Sequence, residues 1–128
     1  MNKTSVKARL AMTQAFANFM DNGSQSATVI FYEGVQPVDT SVAADSNNAL
    51  VTLTFPEPCI REVTTSNVEL YPSDTATVIK TGTAAWARIY NGASEVAADL
   101  TVGTDITLAN TNLVVGGTLN IQSIKLRP

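Results

Sequence analysis

Histidine is absent from the 128 residues, and cysteine occurs once, as Cys59. Without histidine, no side chain has an ordinary pKa near neutrality, which excludes Ser-His-Asp and Cys-His catalytic arrangements and histidine-ligated metal sites. A single cysteine excludes an intramolecular disulfide and a cysteine-based metal site, and Cys59 is expected to be a small buried apolar residue. These absences favour a protein that is not an enzyme and has no cofactor or metal.

Charged residues are also few, at 15% of the chain against about 25% in an average soluble domain. All eleven acidic residues lie between Asp21 and Asp105, whereas five of the eight basic residues lie near the ends. Those five are Lys3, Lys7, Arg9, Lys125 and Arg127. The net charge of −3 argues against a general nucleic-acid binder, which needs clustered basic residues. The basic ends predict attraction to an acidic protein surface; the alternative is that they are only solvated.

Long hydrophobic runs are missing as well. No stretch approaches the roughly 18 apolar residues that a membrane helix requires, so no membrane partner is expected. The apolar stretch after Arg9 is interrupted by Thr13, Gln14 and Asn18, which argues against a secretory signal. We therefore expect the chain to be assembled in a reducing cytoplasm.

One segment has a helical pattern. Thr4 or Ser5 can cap it, and Asp21-Asn22-Gly23 provides a stop. Its apolar residues include Phe16, Phe19 and Met20, which predict a wide apolar side. This side either covers the sheet or docks on a neighbouring subunit.

From Thr28 onward the pattern is one of short extended runs separated by turn residues. The predicted strands are residues 28–32, 50–55, 68–71, 75–80, 84–90, 96–100, 105–109 and 118–126. In the second strand, Val51, Leu53 and Phe55 alternate with threonines and should share a buried face. Asn91-Gly92 predicts a hairpin, Gly116-Gly117 predicts another turn, and residues 35–48 predict a long surface loop. A bulge near Gln122-Ser123 would keep the last strand in phase.

No helical pattern follows Gly23, which argues against parallel βαβ units. The predicted fold is mainly β, an antiparallel β-sandwich of jelly-roll or immunoglobulin-like type with one N-terminal α-helix. We expect a single domain over residues 1–128, with the helix and arm in 1–23 and the sandwich in 24–128.

Three alternatives involve chemistry. Scattered carboxylates leave a carboxylate enzyme as a weak alternative, and Asp99 with Asp105 could contribute to a calcium site, although the spacing matches no EF-hand. Trp86, Arg88 and Tyr90 should share one strand face and could form a stacking platform. The sole tryptophan is better explained as a core or inter-subunit anchor, with Arg88 needing a carboxylate partner or solvent.

Several segments resemble small structural proteins of tailed bacteriophages, and together they span nearly the whole chain. They are residues 9–16, 30–34 with Pro37, 50–55 with Pro58, 82–89, 100–108, and 116–126 with Pro128. The resemblance implies a virion structural protein, with capsid decoration or cementing as the first expectation. The alternative is a tail, baseplate or fibre component with a host glycan-binding role. This chain departs from the pattern by having more basic residues near its N-terminus.

The resemblance implies the major capsid protein or another virion protein as partner, a homo-oligomer that is a trimer or dimer, and a position on the capsid surface. The residues expected to bind the partner are Lys3, Lys7, Arg9, Phe16, Phe19, Lys125 and Arg127. Trp86 is a candidate anchor.

Overall fold

The protein is described by a computed structural model that covers residues 5–56, 60–63, 68–71, 73–103, 108, 110–119 and 125–126. Within these ranges it is mainly β, with antiparallel strand pairing and one α-helix, so the predicted fold class is confirmed at that level. The elements in chain order are α1 (Val6–Met20), β1 (Thr28–Tyr32), a 3₁₀ turn (Ser46–Asn48), β2 (Ala49–Thr54), β3 (Ile60–Val63), β4 (Val68–Leu70), β5 (Ala76–Thr77), β6 (Gly82–Thr83), β7 (Trp86–Tyr90), β8 (Val96–Thr101), β9 (Asn112–Leu113), β10 (Thr118–Leu119) and β11 (Lys125–Leu126).

α1 begins and ends where its caps predict. Ser5 is the N-cap, and its hydroxyl oxygen accepts a hydrogen bond from the backbone N–H of Ala8 at 3.1 Å. Asp21 follows the last helical residue, and Gly23 has a φ of +106° that a side chain would strain. The helix therefore stops at the position that Asp21-Asn22-Gly23 indicated.

The main sheet has the strand order β2-β1-β7-β8, and every neighbouring pair is antiparallel. Val51 and Leu53 are buried while Thr52 between them is exposed, as the alternation predicted. One face of this sheet contributes Val29, Phe31 and Ile89 to the core. The opposite face carries Trp86, Arg88 and Tyr90 on alternate positions of β7, where they align with β1 residues.

The core packs α1 and the smaller strand pairs against the main sheet. Its buried members are Met20, Ala27, Val29, Phe31, Leu50, Val51, Leu53, Phe55, Val78, Ala84, Ala87, Ile89 and Leu113. Met20 at the end of α1 is fully buried, and α1 contacts β3, β4 and β8. The helix is thereby joined to the strands at its C-terminal end.

The remaining strands in the described ranges are short, and β3, β6 and β9 were not among the predicted strands. β5 pairs with β10, β6 with β9, and β4 with both β3 and β11. Of the predicted strand 75–80, only Ala76–Thr77 forms a strand. The next two N–H groups, of Val78 and Ile79, donate hydrogen bonds to the carbonyls of Gly117 and Leu50, which are not part of the β5–β10 pairing. The predicted strand 105–109 and the predicted bulge at Gln122-Ser123 lie outside the described residues, apart from Leu108.

The hairpin after β7 forms as predicted, with residues 91–95 between β7 and β8. Asn91 holds this loop, since its side-chain oxygen accepts hydrogen bonds from the N–H groups of Ala93 and Glu95, each at 2.9 Å. Ser94 then takes a φ of +64°.

Among the described residues, no helix combines the length and apolar character needed to span a bilayer.

Candidate protein-contact surface

The long loop between β1 and β2 crosses the outer face of the main sheet. We call residues 34–45 the strap. Two side-chain hydrogen bonds connect it to that face: the Arg88 Nη1 group donates to the carbonyl of Val42 at 2.7 Å, and the Thr101 hydroxyl donates to Gln36 Oε1 at 2.7 Å. The predicted surface loop is therefore present and is held against the chain's own sheet.

Arg88 is the central residue of this attachment. Its side chain is only 2% exposed and forms a two-point ion pair with Asp99, with Nε–Oδ1 at 2.6 Å and Nη2–Oδ2 at 3.0 Å. The hydrogen bonds to Asp99 raise the pKa of Arg88, so the guanidinium keeps its charge. The expected carboxylate partner is thus Asp99, on the neighbouring strand β8. The other residue of the calcium alternative, Asp105, lies outside the described residues.

Aromatic rings complete this face of the sheet. Tyr32 and Trp86 are stacked with their centroids 4.5 Å apart at an angle of 16°, and the Arg88 guanidinium carbon lies 5.3 Å from the Trp86 ring centroid. The Tyr32 and Tyr90 hydroxyls are 3.5 Å apart. Burial, followed by the hydrogen bond to Tyr90, raises the pKa of the Tyr32 phenol. The result is a satisfied polar and aromatic layer rather than an open platform.

The strap also has local hydrogen bonds of its own. Ser41 donates to Asp39 Oδ1 from its backbone N–H at 2.8 Å and from its hydroxyl, and these bonds lower the pKa of the Asp39 carboxyl. Asp45 Oδ1 accepts from the N–H of Asn47 at 2.9 Å and caps the 3₁₀ turn. Asp39 and Asp45 are both exposed, so they make the outer side of the strap acidic.

Large apolar side chains are exposed on the strap and on two turns of the chain. Of the nine exposed large hydrophobic residues in the described ranges, six belong to the strap or to the turns beside it. We call these six the aliphatic end: Val35, Val38, Val42, Ile79, Val114 and Val115. Val35 and Val38 are each 94% exposed, which leaves almost their whole surface in water.

Hydrogen bonds bring these segments together. Lys80 Nζ donates a hydrogen bond to the carbonyl of Asn47 at 2.7 Å and lies 3.4 Å from a carboxylate oxygen of Glu33. Lys80 thereby joins the turn after Ile79 to both ends of the loop between β1 and β2. The second turn, at Gly116-Gly117, exchanges backbone hydrogen bonds with Val78 at 2.9 and 2.8 Å. The turns that carry Ile79, Val114 and Val115 therefore lie near the end of β1, whereas the Val42 carbonyl lies over Arg88 in the middle of β7.

Sequence comparison adds no relative to this geometry. No protein-family model matches the chain, and no curated protein or solved structure matches it significantly. The surface is therefore interpreted from its own chemistry. In the described part of the chain, no three His, Cys, Asp or Glu residues are grouped as metal ligands. What the exposed valines and isoleucine can do is lose water against another apolar surface.

None of the seven residues predicted to bind a partner belongs to the strap or to the aliphatic end. Lys7 and Phe19 are exposed on α1, whose backbone also includes Arg9 and Phe16, and Lys125 lies in β11. Lys3 and Arg127 lie outside the described residues. Trp86 is 2% exposed, and its ring stacks on the same chain's Tyr32.

The valines and isoleucine of the aliphatic end were not among the predicted binding residues. A signal existed for the strap, because Val35 and Val38 stand beside Gly34, Pro37 and Asp39 in a stretch without a strand or helix period. An apolar side chain in such a segment does not belong to the buried face of a helix or strand, so it is expected to be exposed. Ile79 had no comparable signal, because its run predicted an ordinary strand.

Proposed function

We propose that this chain is a non-catalytic structural protein of a tailed-phage virion, a capsid decoration protein that binds the outer face of the shell. The observation that carries the proposal is the exposure of six aliphatic side chains on the strap and on two turns. Such a surface gains free energy when a neighbouring protein removes it from water. The assignment to a virion rests on the sequence resemblance to phage structural proteins.

A decoration protein acts through mass action. A ligand that binds only the assembled shell stabilises that shell by its binding free energy, and many copies add their contributions. The basic residues near the chain ends would steer the protein onto acidic shell patches, which salt would weaken. The aliphatic end then contacts a neighbour in the assembled particle.

The proposed arrangement of the strands is an antiparallel β-sandwich of jelly-roll or immunoglobulin-like type. Two facts support it: the core lies on one face of the four-stranded sheet, and that core includes Leu113 of the short strand β9 and Val78, which directly follows β5. A second layer of strands would bury the same face.

The alternative is a tail, baseplate or fibre component that binds a host glycan through Trp86, Tyr90 or the loop 35–48. A stacking platform needs an accessible ring. The burial of Trp86 beside the strap weighs against this alternative, and the decoration role is therefore the one proposed.

Labelled protein added to purified particles of the virus that encodes it should decorate the shell in electron micrographs. The variant Lys3→Glu/Lys7→Glu/Arg9→Glu should bind less at low salt, because it reverses three steering charges. Arg61→Glu is the control, since it reverses one basic charge in the body of the chain. Label at the tail would favour the alternative, label nowhere would reject both roles, and unchanged binding of the triple variant would reject steering by the basic N-terminal segment.

A further inference from the structure

The sequence contains two Asn-Gly pairs, Asn22-Gly23 and Asn91-Gly92, and the structure places them side by side. A Cβ added to Gly23 would lie 2.4 Å from the carbonyl carbon of Gly92, and a Cβ added to Gly92 would lie 2.7 Å from the carbonyl oxygen of Asn22. The segment after α1 and the hairpin after β7 therefore pack backbone against backbone, at two positions that have no side chain.

An Asn-Gly pair can react with itself. The glycine nitrogen, on losing its proton to hydroxide or water, forms a bond to the side-chain carbonyl carbon of the asparagine, and the side-chain amide leaves as ammonia. Water then opens the five-membered succinimide at either of its two carbonyls, which gives aspartate or isoaspartate. Glycine favours the attack because it has no Cβ to hinder the approach. The reaction requires a side-chain amide that can turn toward the next nitrogen and an N–H that is free to lose its proton.

Asn91 meets neither requirement in the folded protein. It is 2% exposed, and its Oδ1 accepts hydrogen bonds from the N–H groups of Ala93 and Glu95. Its Nδ2 donates to a carboxylate oxygen of Glu95 at 3.0 Å. The N–H of Gly92 donates to the carbonyl of Met20 at 3.3 Å. A reaction at Asn91 would first have to break these hydrogen bonds.

Asn22 differs from Asn91 on both points. Asn22 and Gly23 are exposed, and in the described part of the chain neither the Asn22 side chain nor the N–H of Gly23 makes a hydrogen bond. The backbone N–H of Asn22 donates to the carbonyl of Phe19 at 3.1 Å, which leaves the side-chain amide in water. The two pairs therefore have the same sequence and opposite environments.

We infer that Asn22 is a site of spontaneous deamidation and that the fold protects Asn91 from the same reaction. Both products place a carboxylate just after the C-terminal end of α1, where the partial negative charge of the helix opposes it. Isoaspartate also adds one atom to the main chain directly before Gly23, at the contact with Gly92. The modification therefore weakens the attachment of α1 to the hairpin. This inference does not depend on the proposed function.

Peptide mapping by mass spectrometry tests the inference on the full chain after incubation in mildly alkaline buffer. Asn22 should convert at least about tenfold faster than Asn91, a ratio equivalent to about 1.4 kcal/mol of protection. In concentrated urea the two rates should become similar, because unfolding removes the hydrogen bonds of Asn91. Equal rates in the folded protein, or an Asn22 that converts only in urea, would overturn the inference.

The matched control is Asn22→Gln, which keeps a side-chain amide at this position but would have to close a six-membered ring, a slower reaction. The converted chain should have a folded-to-unfolded ratio about two- to fivefold lower than the fresh chain, because of the new charge at the helix end. The variant should keep its ratio through the same incubation, and urea denaturation measures both. Equal losses in the two proteins, or conversion at Asn22 without a loss, would overturn the weakened attachment.

Discussion

The two sides of the strap differ in which side chains are buried and which are exposed. On the inner side, the charged Arg88 is buried, and its guanidinium donates hydrogen bonds to Asp99 and to the Val42 carbonyl. On the outer side, Val35 and Val38 are almost fully in water. An ordinary soluble loop has the opposite distribution. The comparison teaches that this loop is held by polar bonds on its inner side, while its aliphatic side chains remain exposed to solvent.

The largest effect should follow from breaking the inner attachment. Arg88→Met leaves the Asp99 carboxylate buried without its counter-charge and should lower the free energy of unfolding by about 3–5 kcal/mol. Urea denaturation measures this change. The double variant Arg88→Met/Asp99→Leu should lose less, because no isolated charge remains. An equal loss in both variants would show that packing, rather than the ion pair, stabilises this side.

A smaller effect concerns pH and the Tyr32 phenol. Because burial raises the pKa of Tyr32, the folded protein keeps this proton when the unfolded chain, with a pKa near 10.0, releases it. Stability from this group is present below pH 10.0 and should fall above it by up to about 1.4 kcal/mol per pH unit. Urea unfolding at alkaline pH should show this slope, and Tyr32→Phe should reduce it. The same slope in the variant would contradict the assignment.

The smallest effect is expected on the outer side. Val35→Glu/Val38→Glu should change the free energy of unfolding by no more than about 0.5 kcal/mol, because neither side chain is packed in the isolated chain. Thermal or urea unfolding checks this, with Thr40→Glu as the control at a neighbouring exposed position. A loss above about 2 kcal/mol would mean that the valines stabilise the fold itself, and the contrast between the two sides would disappear.

Parts of the fold could be predicted because they depend on neighbouring residues. Ser5 and Gly23 bound α1, and the alternation at Val51 and Leu53 predicted a strand with one buried face. β3 was not predicted, since Ile60-Arg61-Glu62-Val63 does not alternate. The hairpin at Asn91-Gly92 between the predicted strands 84–90 and 96–100 is confirmed, and the Asn91 side chain holds its loop by accepting hydrogen bonds from two N–H groups further along.

The candidate site was less predictable than the fold. The loop 35–48 and the shared face of Trp86, Arg88 and Tyr90 followed from composition and strand period. That the loop lies over this face did not follow, because the Arg88–Val42 hydrogen bond joins residues 46 positions apart. The predicted partner-binding residues concentrated on the chain ends, whereas the exposed aliphatic residues lie in the middle of the chain.

By itself, the sequence determined the local periods, the helix caps, the scarcity of titratable groups and the opposite charges of the ends and the body. These properties are set by residues within a few positions of each other or by composition alone. Only the tertiary structure decided that Asp99 neutralises Arg88, that Trp86 is buried, and that five valines and an isoleucine are exposed. Antiparallel pairing brings remote segments together through backbone hydrogen bonds, and those bonds carry little information about which side chains will remain in water.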